Sequence, residues 1–322
     1  MSLPYDDINT ACREYIIPEM RNNIFESNVL AWRLLKNPKK WKGGTYFEVP
    51  VQVAKNTNAM FYEAGGTLTK SHTAEFTKAR WAPAMANAAI NLYGIELSEN
   101  KYSGTKVFDL VKEKVAAAED ALKDKFCQSL ISGTGSTDII GFTGISGLTT
   151  GSSYAGISPS DATKWKVSGI TAGWAGWRDA TLSTLGPQAF AKLYMACSVD
   201  ADQPTDIVTT QAIWAGIYGK VIEVNHRYSD EKMAQLGFTN VKYNNATISW
   251  STYLAAKHMY AFSTKHLYFA VFPDMNFKFI PFRESETADV VKADVRWYGN
   301  LVCDARWSFG MQTKVATITV TS

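Results

Sequence analysis

A chain of 322 residues, 46% hydrophobic and 20% charged, carries enough apolar side chains for one large domain or two ordinary ones, which excludes a disordered polymer. Its formal net charge of +3 is too small to argue for nucleic-acid binding by itself. No apolar run approaches the length of a bilayer span, and "MSLPYDDINT" lacks the basic start and apolar run of a signal peptide; the expectation is synthesis in a reducing cytosol.

In chain order, residues 3–35 read as a mostly helical arm. Ile16, Ile17, Met20, Ile24 and Phe25 give it a rough apolar stripe, which Pro18 interrupts. A run of cations follows, Arg33, Lys36, Lys39, Lys40 and Lys42, with no acid among them. Two readings stand: a solvated junction that meets acids elsewhere, or a contact to nucleic-acid phosphates or a neighbouring subunit. Phe47, Val49, Val51 and Val53 then alternate with polar residues, the period of a half-buried strand. The pattern runs out into Lys55, Asn56, Thr57 and Asn58 before a second extended stretch around "SHTAEFTKARW". This is a long arm that leaves the core early in the chain.

The clearest helix spans about 103–132. Val107, Val111, Val115, Ala118, Leu122, Phe126 and Leu130 recur at steps of three and four, with Ser103 or Thr105 to cap the start and Gly133 to end it. Residues 133–176 are rich in Gly, Ser and Thr and predict short strands and loops. "RDATLSTLGPQAFAKLYMACSVD" predicts two short helical pieces broken at Gly186-Pro187. From about Thr205 a strand leads into a helix. "NVKYNNATISW" predicts a hairpin whose Asn244-Asn245 pair tolerates positive φ. Strand–turn–strand segments follow, then a long extended run from Asp289 and a last strand, "VATITV".

Catalytic patterns are weak. "GTGSTD" lacks the third glycine and the strand-to-helix setting of a dinucleotide loop. "GSSYA" has Ala155 where a nucleophile elbow needs glycine, so a hydrolase built on Ser153 is a poor alternative. Four histidines, His72, His226, His258 and His266, and four scattered cysteines show no metal-ligand spacing. No cofactor is expected.

Five phrases in sequence carry a resemblance: "SGTGSTDIIGFTGISGL", "DIVTTQAIWAGIYG", "YSDEKMAQLGFTNVKYNNATISW", "HMYAFSTKHLYFAVFPDMNF" and "WYGNLVCDARWSFG". With the order of elements, the chain resembles the major capsid proteins of tailed double-stranded DNA bacteriophages, of the Hong Kong 97-type fold. That resemblance implies an α+β fold with an N-arm (1–41), an extended E-loop hairpin (42–82), a peripheral P-domain (83–204) with its spine helix at about 103–132, an axial A-domain (205–284), and a return to the P-domain sheet with a C-terminal strand (285–322). It implies a structural protein of the virion, made in the host cytoplasm and self-assembling as hexamers and pentamers. The implied partners are copies of itself, a separate scaffolding protein, a portal, a decoration protein and packaged DNA met by nonspecific contacts. An encapsulin-like nanocompartment shell is the nearest alternative. Trp41, Tyr46, Phe47, Phe61, Tyr62 and Trp81 are the expected intersubunit contacts, because aromatic side chains anchor interfaces.

Overall fold

The computed structural model describes residues 29–35, 38–54, 58–68, 75–99, 104–135, 137–147, 153–158, 165, 193–199, 201–215, 241–244, 246–285 and 288–312. Two sets of residues form separate compact units. One comprises Met1–Gly43, Pro83–Gly141 and Tyr268–Leu301; the other comprises Gly44–Ala82, Phe142–Leu267 and Val302–Ser322.

The first unit is organised by a long helix. Helix α1 (Val29–Leu35) and the two-residue strand β1 (Lys39–Lys40) precede it, as do strand β4 (Ala84–Tyr93) and helix α2 (Gly94–Glu99). Helix α3 then runs from Gly104 to Ser132, a rod of about 43 Å at 1.5 Å per residue. The stripe read from sequence is the one that is buried: Val111, Val115, Leu122, Phe126 and Leu130 are covered, whereas Lys112, Glu113, Asp120 and Asp124 stay exposed. Ala118 is half-buried, and the Val107 side chain lies outside the described residues.

Strands β9 (Leu267–Val271), β10 (Lys278–Glu284) and β11 (Val290–Cys303) supply the sheet. Its order is β1-β9-β11-β10, with β4 also paired to β11. Phe126 is the hub between helix and sheet, its ring 5.1 Å from Trp297, 5.6 Å from Phe269 and 6.5 Å from Phe277. Asn300, itself buried, accepts from the N–H of Ile140 at 2.9 Å and so ties the glycine-rich loop after α3 to β11.

Gly133 ends α3 for a reason of space. A Cβ there would sit 2.0 Å from the Ile139 carbonyl oxygen and 2.4 Å from that of Ser129. The left-handed glycine at this end is Gly135, at φ 83°.

The second unit holds a ribbon and a sheet. Strands β2 (Phe47–Gln52) and β3 (Phe76–Trp81) pair antiparallel as a ribbon of two strands among the described residues. The sheet runs β12-β8-β5-β7-β6, with β5 (Asp206–Thr209), β6 (Val241–Tyr243), β7 (Ala246–Trp250), β8 (Met259–Phe262) and β12 (Gly310–Gln312). β5 lies parallel to β7 and antiparallel to β8. The β6–β7 hairpin turns at Asn244, which takes φ 54° as its amide side chain allows. Residues 211–215 are helical after β5, as the sequence predicts.

Helix α4 (Phe142–Ser146) is a helical turn where strands and loops were expected. Phe142 is fully buried, with ring centroids of Tyr260, Phe262 and Phe309 each 5.3 Å away. A second cluster gathers Leu193, Tyr194, Cys197, Ile207, Ile213, Ile248 and Met259. Burial pushes the thiols of Cys197 and Cys303 up to about 12, so both behave as small apolar groups.

Strands β9 and β10, inside the 205–284 stretch, belong to the sheet of the long helix. The stretch from 285 onward divides. β11 joins that sheet, and β12 pairs with β8 after a turn of 3-10 helix at Arg306–Ser308. The "VATITV" strand lies outside the described residues.

Candidate assembly surfaces

The β2–β3 ribbon has one covered face and one open one. Register places Phe47 opposite Trp81, Val49 opposite Ala79 and Val51 opposite Thr77 on the covered face; Glu48 faces Arg80, and Gln52 faces Phe76 on the open one. Glu48 lies 3.1 Å from Lys78 and 3.0 Å from Arg80. The Lys78 ammonium, and after it Arg80, hold the Glu48 carboxyl below its ordinary value. Pro50, in the middle of β2, has no N–H to give, which suits an outer strand.

The root of the ribbon is fastened within its own unit. The N–H of Arg80 donates to the Ala155 carbonyl at 2.9 Å, and Trp81 meets Tyr154 edge-on at 5.9 Å. Tyr154 in turn lies 5.3 Å from the buried Arg306 guanidinium, which donates to the Ile145 carbonyl at 2.9 Å. Burial raises the Tyr154 phenol far above its ordinary range and lowers the arginine.

Beyond β2 the described chain has no regular secondary structure, with a turn at 64–65 where Gly65 takes φ 87°. Phe61 is 107% exposed, as open as in an unfolded peptide, and Tyr62 is 65% exposed. Met60 and Leu68 are also exposed. A ribbon that ends in bare aromatic side chains spends apolar surface on water, which folding of a lone chain does not favour.

The six aromatic residues picked from sequence therefore divide. Trp41 is buried, its backbone N–H donating to the Val271 carbonyl and its indole stacked 4.7 Å from Phe272. Trp81 is fully buried against Tyr154. Both are filled contacts of their own chain, which leaves neither a surface to offer a neighbour. Phe47 is half-buried, 6.4 Å from Trp81. Tyr46, Phe61 and Tyr62 stand exposed.

The basic run also divides. Arg33 is half-buried on α1, and Lys36 lies outside the described residues. Lys39 and Lys40 form β1, parallel to Ala270 and Val271 of β9. The Lys39 ammonium sits 3.5 Å over the Tyr268 ring, while the side chains of Lys40 and Lys42 are open to solvent.

Ser153 is exposed just before the Tyr154–Ile157 bridge, which leads into a turn at 155–156 and not into a helix, as an elbow requires. His266 is turned to Asp304 at 2.9 Å, and His72 and His226 lie outside the described residues. Among the described residues there is no group of metal-ligating side chains and no helix long and apolar enough to cross a membrane.

No family model matches the sequence, and no curated protein matches it. Solved structures do. The capsid asymmetric unit of cyanophage A-1(L) superposes with a TM-score of 0.62 at 17% identity, over 89% of this chain and 92% of that one. The capsid of a native GTA particle gives 0.55 at 13% identity, over 87% and 88%. The holo-SrpI encapsulin complex from Synechococcus elongatus gives 0.52 at 8% identity, over 91% and 90%. At such identities the likeness is one of fold, carried over nearly the whole chain. The long helix, the sheet it covers and the two-stranded ribbon are thus the parts of an α+β capsid fold of the Hong Kong 97 type.

Proposed function

We propose that this chain is the major capsid protein of a tailed bacteriophage. Copies assemble as hexamers and pentamers of an icosahedral shell around double-stranded DNA, and the role is structural, without catalysis. One observation carries the reading beyond fold: the β2–β3 ribbon, rooted on Tyr154 and Ala155, ends in Phe61 and Tyr62 with no cover from its own described chain. In a shell those rings are buried by a neighbouring copy, and many modest contacts gain strength through closed symmetry.

In this reading residues 1–41 are the N-arm, 42–82 the E-loop, 83–204 the P-domain around α3, 205–284 the A-domain, with its last strands β9 and β10 lent to the sheet of α3, and 285–322 the return to the P-domain through β11, with β12 paired to β8 and a C-terminal strand beyond it. Tyr46, Phe47, Phe61 and Tyr62 are the retained intersubunit contacts. Lys40 and Lys42, with Arg33, Lys36 and Lys39 beside them, touch phosphate or a neighbouring subunit. A separate scaffolding protein, a portal and a decoration protein are the partners, and the virion is the destination.

A second reading, a nanocompartment shell, is favoured by the encapsulin likeness, which spans as much of the chain as the phage ones. Cryo-electron microscopy of particles from cells that express the chain with its natural neighbours separates the two. DNA-filled shells with tails support the first; small uniform shells that hold protein support the second. A chain that sediments as a monomer at high concentration overturns both.

A further inference from the structure

At one end of the first unit, β11 lies between β10 and β4, and its register fixes what shares a face. Lys278 pairs with Arg296, which pairs with Asn87; Ile280 pairs with Asp294, which pairs with Ala89; Arg283 pairs with Lys292, which pairs with Asn91. These residues alternate with Ala88, Ile90, Ala293, Val295 and Trp297, which are buried on the opposite face. Among the described residues the outer face thus holds four cations around a single carboxylate. Glu284 and Asp289 lie at the far end of the β10–β11 hairpin, with Glu284 opposite the buried Val291.

Like charges directly opposite across a strand pair destabilise it. Here two such pairs stand in sequence, Lys278 with Arg296 and Arg283 with Lys292. Asp294 offsets part of the repulsion: it is buried, 3.4 Å from Arg283 and 3.3 Å from Arg296, and it accepts from the Asn87 amide at 3.3 Å. The same contacts hold both guanidinium groups over the face. The Arg283 side chain is still 62% exposed, and Lys278 and Lys292 are exposed. Folding alone gives no reason to set four cations in two opposed pairs.

We propose that this face of the β10-β11-β4 sheet binds the phosphate backbone of double-stranded DNA. The choice of polyanion rests on the shell reading; the site itself rests on the charge arrangement. Two cationic rows four residues apart along β11 are separated by about 14 Å at 3.4 Å per residue, comparable to the width of about 12 Å of the DNA major groove, so that each row can meet the phosphates of one groove wall. Arginine, lysine and asparagine are the side chains that meet phosphate oxygens. The middle of the face carries Ile280 and Ala89 and no aromatic anchor of the kind that centres a protein interface.

The test is the salt dependence of DNA binding by the full-length protein, in the assembly state in which it purifies, with a mixed-sequence 30-base-pair duplex as probe. Lys278→Gln with Lys292→Gln leaves the Asp294 contacts in place. It is expected to weaken binding about tenfold near 150 mM salt and to lower the slope of log K against log salt by about 1.8, at 0.9 per lost phosphate contact. Because it also removes the opposed like charges, the variant should melt at the same temperature or higher, which a merely structural role for the lysines does not predict. An unchanged slope overturns the assignment, as does a slope that falls only in Lys40→Gln with Lys42→Gln. Loss of binding to polyglutamate with DNA binding intact overturns it in favour of an acidic protein partner. The shell reading fails separately: wild-type protein that never assembles refutes it, whatever the slope shows.

Discussion

Gly133 shows how a single hydrogen atom can decide the packing of a helix end. The nearest neighbours of a Cβ at that position are backbone oxygens, of Ile139 and Ser129, and backbone cannot rotate aside as a side chain does. Gly133→Ala should therefore destabilise the first unit by about 3 kcal/mol, read as a fall in the midpoint of urea unfolding with an unchanged slope. Glu48 gives a residue-scale prediction of opposite character. Its folded pKa lies below the ordinary 4.5 because Lys78 and Arg80 stand beside it, so its contribution is present above pH 4.5 and lost as pH falls through the folded value. The group is exposed, so the effect is small. Backbone amide exchange in the ribbon should be slower in the wild type than in Glu48→Gln at pH 6, and that difference should shrink as pH falls below 4.5 through the folded value.

At the scale of elements, α3 and the ribbon make different demands on their residues. Phe126 meets three rings at once, and Phe126→Ala should cost about 3–5 kcal/mol, measured by chemical denaturation of the unassembled chain. Phe61 and Tyr62 touch little of their own chain, so Phe61→Ser with Tyr62→Ser should leave the melting temperature unchanged. It should raise the concentration needed for assembly by more than tenfold, the scale of lost anchor residues, seen by light scattering. These elements were legible to different degrees. α3 was readable to within a residue of its start, because its apolar period persists over more than six turns and its charges fall on the other face. β2 was readable from strict alternation, and Asn244 from its side-chain chemistry. α4 was not, since five residues among glycines and threonines hold too little period to separate a helical turn from a loop. Nor was the fate of Trp41 and Trp81: a sequence shows that an indole wants cover, not whether Phe272 or a second molecule provides it. The Asp294 face escaped for a related reason. Lys278, Arg283, Lys292 and Arg296 are spread over 19 positions and converge only through strand register.

For the molecule as a whole, the formal charge of +3 conceals an uneven distribution. Among the described residues, four cations and one carboxylate share a face of the first unit, whereas other charges stand in opposite-sign pairs, as in Glu48 with Lys78 and Arg80, Glu96 with Lys114, and Asp202 with Lys265. A modest total thus says little about what a surface attracts. The same holds for stability, since the covered faces of the units close their own cores and the bare aromatic tip does not.

The sulfur chemistry of the chain offers a practical consequence. Cys127 is buried in the first unit, Cys197 and Cys303 in the second. With Cys12 changed to serine, a thiol-reactive dye can reach these sulfurs only when the surrounding packing opens, and the location of the label on a digested peptide reports which half opened. The protein thus carries its own pair of gauges for following how each half loosens under heat, denaturant or the strain of becoming part of a particle.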